Sequence, residues 1–299
     1  LLGLVGSEMC IRDSYRTTAY QFNNTEHAAS LFALKEFGNI YSRIGNPTVG
    51  ALEARLTALE DGAMCVALSS GTSAVMYSLI NIMSQGDNFI SASQLYGGTY
   101  TMFDNILPEY GINAKKVDIT DFKAVEESID EKTRAIYCET ITNPGLVVAD
   151  ITALSEIAHA NGIPLIVDAT FTTSAIQKSF DFGADIVVYS LTKWMSGHGR
   201  VIAGAVIEKG GFNWGNGNFP LYDKPDTSYG GMRWGHDLGD LSNVAYSLRL
   251  RTVPLRNLGA NMSPDTAFEV MSGLETLGLR MERHCENCLL YTSDAADDP

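Results

Sequence analysis

From Ala63 to Ala205 short apolar runs alternate with stretches of helical periodicity. The runs are "AMCVALSS", "NFISAS", "RAIYCET", "IPLIVDA", "ADIVVYS" and "VIAGAVI", each of strand length. Between them lie "TSAVMYSLINIMSQ" and "ITALSEIAHANG", whose apolar positions follow a helical period; the second closes on an Asn-Gly stop. Strands alternating with helices predict an α/β domain, a mainly parallel sheet with helices on both faces.

Ligands of such sheets bind at the carboxyl ends of the strands, so those ends are read together. "AMCVALSS" runs into Ser70-Gly71-Thr72 at the start of a helix, and "NFISAS" leads to Tyr96 in "QLYGGT". "RAIYCET" leads to Asn143 in "ITNPG", "IPLIVDA" delivers Asp168 and Thr170, and "ADIVVYS" delivers Ser190, Thr192 and Lys193. Singly, each has an ordinary explanation: a solvated turn lysine, a packed turn tyrosine, a capping aspartate. Five strand ends carrying one ring, one carboxylate, one lysine, an amide and several hydroxyls are harder to explain that way.

Composition narrows the chemistry. The formal charge of −14 argues against a nucleic-acid surface, because that affinity comes from Lys and Arg neutralising phosphates. No apolar run approaches the roughly 18 residues of a membrane helix, which predicts a soluble protein. Five scattered cysteines without a basic signal-peptide n-region read as reduced thiols of a cytoplasmic protein. Cys285 and Cys288 form a lone C-x-x-C with no second pair, a poor metal site. No G-x-G-x-x-G or G-x-x-x-x-G-K-[ST] follows a strand, which disfavours a dinucleotide enzyme.

A helix start with small residues binds phosphate through free N–H groups and the helix dipole, and Ser70-Gly71-Thr72 supplies one. Ser190 and Thr192 add hydroxyls from a neighbouring strand end. A buried strand-end aspartate needs a cation or donors, and a nearby lysine is the nucleophile for a carbonyl. A planar ring with a phosphate, a basic nitrogen and an aldehyde answers all of these: pyridoxal 5'-phosphate.

Together "YSRIGNPT", "SSGTSA", "LYGGT", "VDATF" and "SLTKWMSGHG" resemble the Cys/Met-metabolism group of fold-type I pyridoxal-phosphate enzymes, over about residues 15–287. "ALKEFGNIYSRIGNPT", "GGFNWGNGNFPLYDKPDTSYGG" and "GLETLGLRMERHCEN" resemble in particular its O-acetylhomoserine sulfhydrylase branch. The resemblance implies that Lys193 bonds the cofactor aldehyde, that Asp168 keeps the pyridine nitrogen protonated, and that Tyr96 stacks on the ring and helps move protons. It implies phosphate contacts from Ser70, Gly71, Thr72, Ser190 and Thr192, with Asn143 and Thr170 near the ring. Tyr41 and Arg43 would complete the site of a neighbouring subunit in a homo-oligomer, a dimer of dimers. The implied reaction is γ-replacement on O-acetyl-L-homoserine with sulfide or a thiol. Alternatives are γ-elimination of the methionine γ-lyase or cystathionine γ-lyase kind, cystathionine γ-synthase-like chemistry, or a paralogue that binds cofactor without turnover.

Thr72 stands where relatives often carry Gln or Met, and Ala169 replaces a common Asn; His198 is read as structural. The expected organisation is an arm and helix over residues 15–60, a large cofactor domain over 61–255 and the start of a C-terminal domain over 256–287. Residues 1–14 and 288–299 resemble non-native adapter sequence, with "CLLYTSDAADDP" breaking the preceding helix. The C-terminal domain, with the arginine expected for the substrate carboxylate, would then be cut short. The apolar faces of "AFEVMSGLETLGLRM" would be left bare, and the chain would hold cofactor but turn over poorly.

Overall fold

The computed structural model describes residues 14–33, 35–36 and 38–294. Among these, seven strands make one sheet: β1 (Met64–Leu68), β2 (Asn88–Ala92), β3 (Asn113–Val117), β4 (Thr133–Glu139), β5 (Leu165–Asp168), β6 (Ile186–Tyr189) and β7 (Gly204–Glu208). Their order is β1-β7-β6-β5-β4-β2-β3, parallel throughout except for β7, which runs antiparallel to both neighbours. The mainly parallel sheet read from the sequence is therefore present, and its six expected strands are all found.

Strands buried on both faces lack an alternating pattern, and β2, β4, β6 and β7 are buried at every position. The strand missing from the sequence reading is β3, "NAKKV". Its two lysines make it look like a loop, but it is an edge strand, where Lys discourages pairing with another sheet. Lys115 bonds Asp130, and Lys116 pairs with Asp104 and lies over the Tyr100 ring.

Helix starts follow the local chemistry. Asn46 caps Pro47–Glu60 by accepting from Thr48 N, with Pro47 at the first turn where no N–H is needed. Ser70 caps Gly71–Ile80, Asp150 caps Ile151–Ala160, and Asn161 and Gly162 (φ +65°) end the latter as the sequence predicts. Glu208, at the end of β7, caps Ala245–Leu250 by accepting from Ser247 N at 2.8 Å. Phe89, Phe103 and Tyr137 stack edge to face, at 4.8 and 5.1 Å between centroids, and tie β2 to β4.

Two expectations for the C-terminal part are corrected. The helix Leu277–Asp294 does not break at residue 288 but runs on, since no Gly or Pro interrupts it between Gly278 and Asp294. The apolar residues of "AFEVMSGLETLGLRM" are mostly covered within the chain: Ala267, Val270, Met271, Leu274, Leu277 and Met281 are buried, and only Leu279 stands well exposed. Pro264–Leu274 packs on the helix Pro47–Glu60, so the C-terminal segment closes over the N-terminal helix.

β7 begins where β1 ends. A Cβ on Gly204 would stand 2.1 Å from the Ser70 carbonyl oxygen, which is backbone and cannot swing aside. Gly204→Ala should therefore cost about 1–3 kcal/mol by overpacking, seen as a melting temperature lower by about 3–10 °C. Gly50→Ala, with nothing within 4 Å and a helical position, should be neutral or raise it. Thermal unfolding of the two variants checks the contrast; an unchanged midpoint for Gly204→Ala would contradict it.

Candidate active site

Because β1, β2, β4, β5 and β6 are mutually parallel, their carboxyl ends meet at one edge of the sheet. A cavity of about 610 Å³ opens there. Ten of the twelve residues singled out from the sequence line it: Ser70, Gly71 and Thr72 after β1; Tyr96 after β2; Asn143 after β4; Asp168 and Thr170 at β5; Ser190, Thr192 and Lys193 after β6. Tyr41 and Arg43 do not. They stand against each other, the guanidinium 5.4 Å from the ring, and Arg43 donates to the Arg256 carbonyl.

One end of the cavity is a set of donors. Gly71 and Thr72 open the helix Gly71–Ile80, and the first N–H groups of a helix have no intrahelical acceptor. The Ser70 Oγ caps Ser73 N at 3.0 Å and meets Thr72 Oγ1 at 3.1 Å. Gly71 is required by space: its Cβ would fall 2.5 Å from the Ser190 Cβ. Thr170 Oγ1 accepts from Ser190 N at 2.8 Å, and Thr192 Oγ1 exchanges bonds with the Ala203 backbone at 3.0 and 3.2 Å. The Thr170 and Thr192 hydroxyls thus shape the donor end by holding backbone.

The other end is acidic. Asp168 closes β5, where Thr170 N at 3.0 Å and the Tyr137 hydroxyl at 3.3 Å donate to it. Burial pushes its carboxyl above the ordinary range, against those two neutral donors. Glu139 is its register neighbour on β4. This residue, quoted within "RAIYCET" but not singled out, lines the cavity and bridges two loops: Oε1 accepts from Tyr96 N at 2.7 Å and Oε2 from Asn143 N at 2.9 Å. Burial first, with the nearby Asp168 charge adding, raises it to about 7. The overlooked signal was a carboxylate ending a buried strand, a costly placement without donors.

Tyr96 stands over the loop of β2, with Gly98 beneath its ring: a Cβ there would come within 2.7 Å of Tyr96 Cε1. Lys193 faces the cavity from the turn after β6, and among the described residues its ammonium has no hydrogen bond or ion pair. Trp194, Ile202 and Phe171 also line the wall; the sequence reading did not single them out. His198 bonds the Ser196 carbonyl at 2.6 Å, a turn contact. Cys285 and Cys288 are exposed on the last helix, and among the described residues no cluster of three or more His, Cys, Asp or Glu could hold a metal. Nor is any described helix long and apolar enough to cross a membrane.

The model of the "Cys/Met metabolism PLP-dependent enzyme" family matches residues 8–292. The chain belongs to this family. The match passes both limits, 15 and 287, expected from the motifs. The chain is 45% identical over 280 residues to the O-acetyl-L-homoserine sulfhydrylase of Leptospira meyeri, covering 92% of this chain and 63% of that protein. It is 45% identical over 276 residues to the homocysteine synthase of Schizosaccharomyces pombe, covering 91% and 64%. The chain therefore spans just under two thirds of the length of these relatives. Its fold superposes with a TM-score of 0.92 and 38% identity on a Campylobacter jejuni structure described as an O-acetylhomoserine (thiol)-lyase, over 96% of this chain and 70% of that one. That structure carries N'-pyridoxyl-lysine-5'-monophosphate. Cystathionine gamma-lyase of Lactobacillus plantarum, complexed with L-serine, superposes with a TM-score of 0.76 and 28% identity, over 96% and 64%. The α/β fold of type I is thus that of the family.

The cavity fits the family's cofactor. It joins a helix start with free N–H groups, a lysine amine without a partner among the described residues, and a buried carboxylate whose donors are neutral and which a cation would satisfy.

Glu139 gives a pH test. A carboxyl raised from 4.5 to about 7 is neutral in the fold but ionised in the unfolded chain between those values. The stability tied to its protonation is full below 4.5 and is lost as pH rises through about 7. The cofactor-free Glu139→Gln protein lacks this loss, so its melting temperature should gain on the parent as pH rises across that window. Glu60 and Glu208, also raised to about 7, cancel in the difference. Parallel melting curves at a constant offset would place the Glu139 proton elsewhere.

Proposed function

We propose that this protein catalyses pyridoxal-phosphate-dependent γ-replacement on O-acetyl-L-homoserine, with sulfide or a small thiol as the incoming group. The observation that carries the reading is the meeting of Lys193, Asp168, Tyr96 and the helix start at Gly71 around one cavity. The sulfhydrylase and homocysteine synthase relatives support the substrate class. The bound cofactor supplies an electron sink beside the substrate α-carbon.

The chain's own groups do the rest. Gly71 N and Thr72 N, with the Ser70 and Ser190 hydroxyls, bind the phosphate at the positive end of the helix dipole. Asp168 would pair with the protonated pyridine nitrogen, a cationic partner that offsets the cost of burying its carboxylate. Tyr96 covers the ring face, its position fixed by the Glu139 bond to its N–H. Lys193 would be the residue that holds the cofactor through its Nζ, where the substrate amine would take its place. Its freed Nζ then takes the proton from the α-carbon and moves one at the β-carbon, so that acetate leaves from the γ-carbon. The sulfur nucleophile adds at the γ-carbon and the protons return.

Tyr41 and Arg43 act across a subunit interface in this reading, since they do not line the cavity of their own chain. The protein is then a homo-oligomer, assembled at least as a dimer, and works in the cytoplasm. γ-Elimination is the second reading, favoured by the superposition on a cystathionine gamma-lyase.

Two experiments test the proposal. Borohydride reduction of the protein loaded with pyridoxal phosphate, followed by peptide mapping, should find the pyridoxyl group on Lys193; a label on Lys178 or Lys209 instead removes the assignment. With O-acetyl-L-homoserine and sulfide, homocysteine should exceed 2-oxobutanoate; the reverse ratio would establish elimination. For the interface, a Lys193→Ala protein mixed with an Arg43→Ala protein should recover activity through hybrid sites. No recovery despite subunit exchange would place Arg43 outside the partner's site.

A further inference from the structure

The turn that carries Lys193 is gripped from the far end of the chain. Arg280, on the helix Leu277–Asp294, donates through Nη1 to the Trp194 carbonyl at 2.7 Å and through Nη2 to the Met195 carbonyl at 3.4 Å. Nη2 also reaches the Gly273 carbonyl at 2.8 Å, and Nε reaches Thr276 Oγ1 at 3.1 Å. A guanidinium has five N–H donors in a fixed fork, and here that fork is spent on neutral oxygens, two of them on the residues directly after Lys193. No carboxylate pairs with it among the described residues, an unusual use of a charged group.

The space around this grip is reserved on both sides. Gly197 has φ +70°, and a Cβ on it would strike Arg280 Nη1 at 2.4 Å. Gly273 lies against the same turn, since its Cβ would come within 2.2 Å of the Ser196 carbonyl oxygen. One helical turn beyond Arg280, His284 packs its ring on Trp194, with centroids 4.7 Å apart. Trp194 lines the cavity, whereas Arg280 does not. The guanidinium is therefore spent on the peptide groups of the turn that follows the lysine.

We infer that Arg280 is a positioning residue: it locks the carbonyls of Trp194 and Met195 and thereby holds Lys193 Nζ aimed at the cofactor aldehyde. The inference rests on the reading of Lys193 given above. Lysine in its place keeps the charge but offers a point ammonium for a planar fork, so it cannot hold two successive carbonyls and Gly273 together. Removing the side chain frees the backbone of the turn while leaving Lys193 itself unchanged.

The test follows the rate at which pyridoxal phosphate becomes reducible onto Lys193, by borohydride quenching and peptide mapping, in the parent, Arg280→Lys and Arg280→Ala. The melting temperature of each is measured alongside. Both variants should trap the cofactor at Lys193 roughly tenfold more slowly, the cost of poor orientation at a reacting group. Millimolar guanidinium should restore part of the rate in Arg280→Ala and none in Arg280→Lys, whose ammonium fills the place. A merely structural arginine would show a lowered melting temperature with no guanidinium recovery, and that result overturns the inference. So does trapping at the parent rate in Arg280→Lys, which is the variant least disturbed in folding. A parent protein that never labels Lys193 refutes the reading of Lys193 itself, before the variants are compared.

Discussion

The site depends on how closely three strand ends approach one another. β7 enters between β1 and β6 in the opposite direction, so its first residue meets their last ones. Gly204 lies under the Ser70 carbonyl and Gly71 lies against Ser190, both at separations that a Cβ would violate. This approach brings the first N–H groups of the helix Gly71–Ile80 beside the hydroxyl of Ser190. Neither side makes an anion site alone. A helix start offers donors and a dipole, and the neighbouring strand end adds the hydroxyl that completes the ring of donors.

The cavity has a sign at each end. Backbone N–H groups and hydroxyls gather after β1 and β6, while Asp168 and Glu139 stand side by side at the ends of β5 and β4. Burial raises both carboxyls, and the Asp168 charge raises Glu139 further. Glu139 has its two loop N–H groups to satisfy it. Asp168 is met only by neutral donors, from Thr170 and the Tyr137 phenol, and keeps capacity for a cation. A ligand that is anionic at one end and protonated at the other matches this polarity along its length. The overall charge of −14 says little about it, since recognition is local.

What the sequence made legible follows from where the information sits. Strands buried on both faces show as apolar runs, and residues at their carboxyl ends inherit a common place from the parallel arrangement, so ten candidates converge without any contact being known. β3 was hidden because its burial is partial and its lysines answer to acids elsewhere in the chain. Glu139 was hidden because its partners are backbone N–H groups of two separate loops, which no pattern in one strand reveals. Arg280 was hidden for the same reason at greater range, 86 residues from the Trp194 carbonyl it holds. Tyr41 and Arg43 have a local environment of their own, and motif resemblance alone assigned them to a neighbour's site.

The cofactor-facing residues do not by themselves choose between replacement and elimination, because both reactions need the same proton movements at the α- and β-carbons. The choice lies with whatever controls the approach of water and thiol to the γ-carbon. On this chain Phe171, Trp194 and Ile202 line the cavity, and Phe171 and Ile202 are 38% and 68% exposed. An apolar wall favours a soft, weakly hydrated thiol over water, since a thiol loses less hydration on entering. The strand ends thus hold the groups that both reactions share, and a difference between the two would be made at the rim of the cavity.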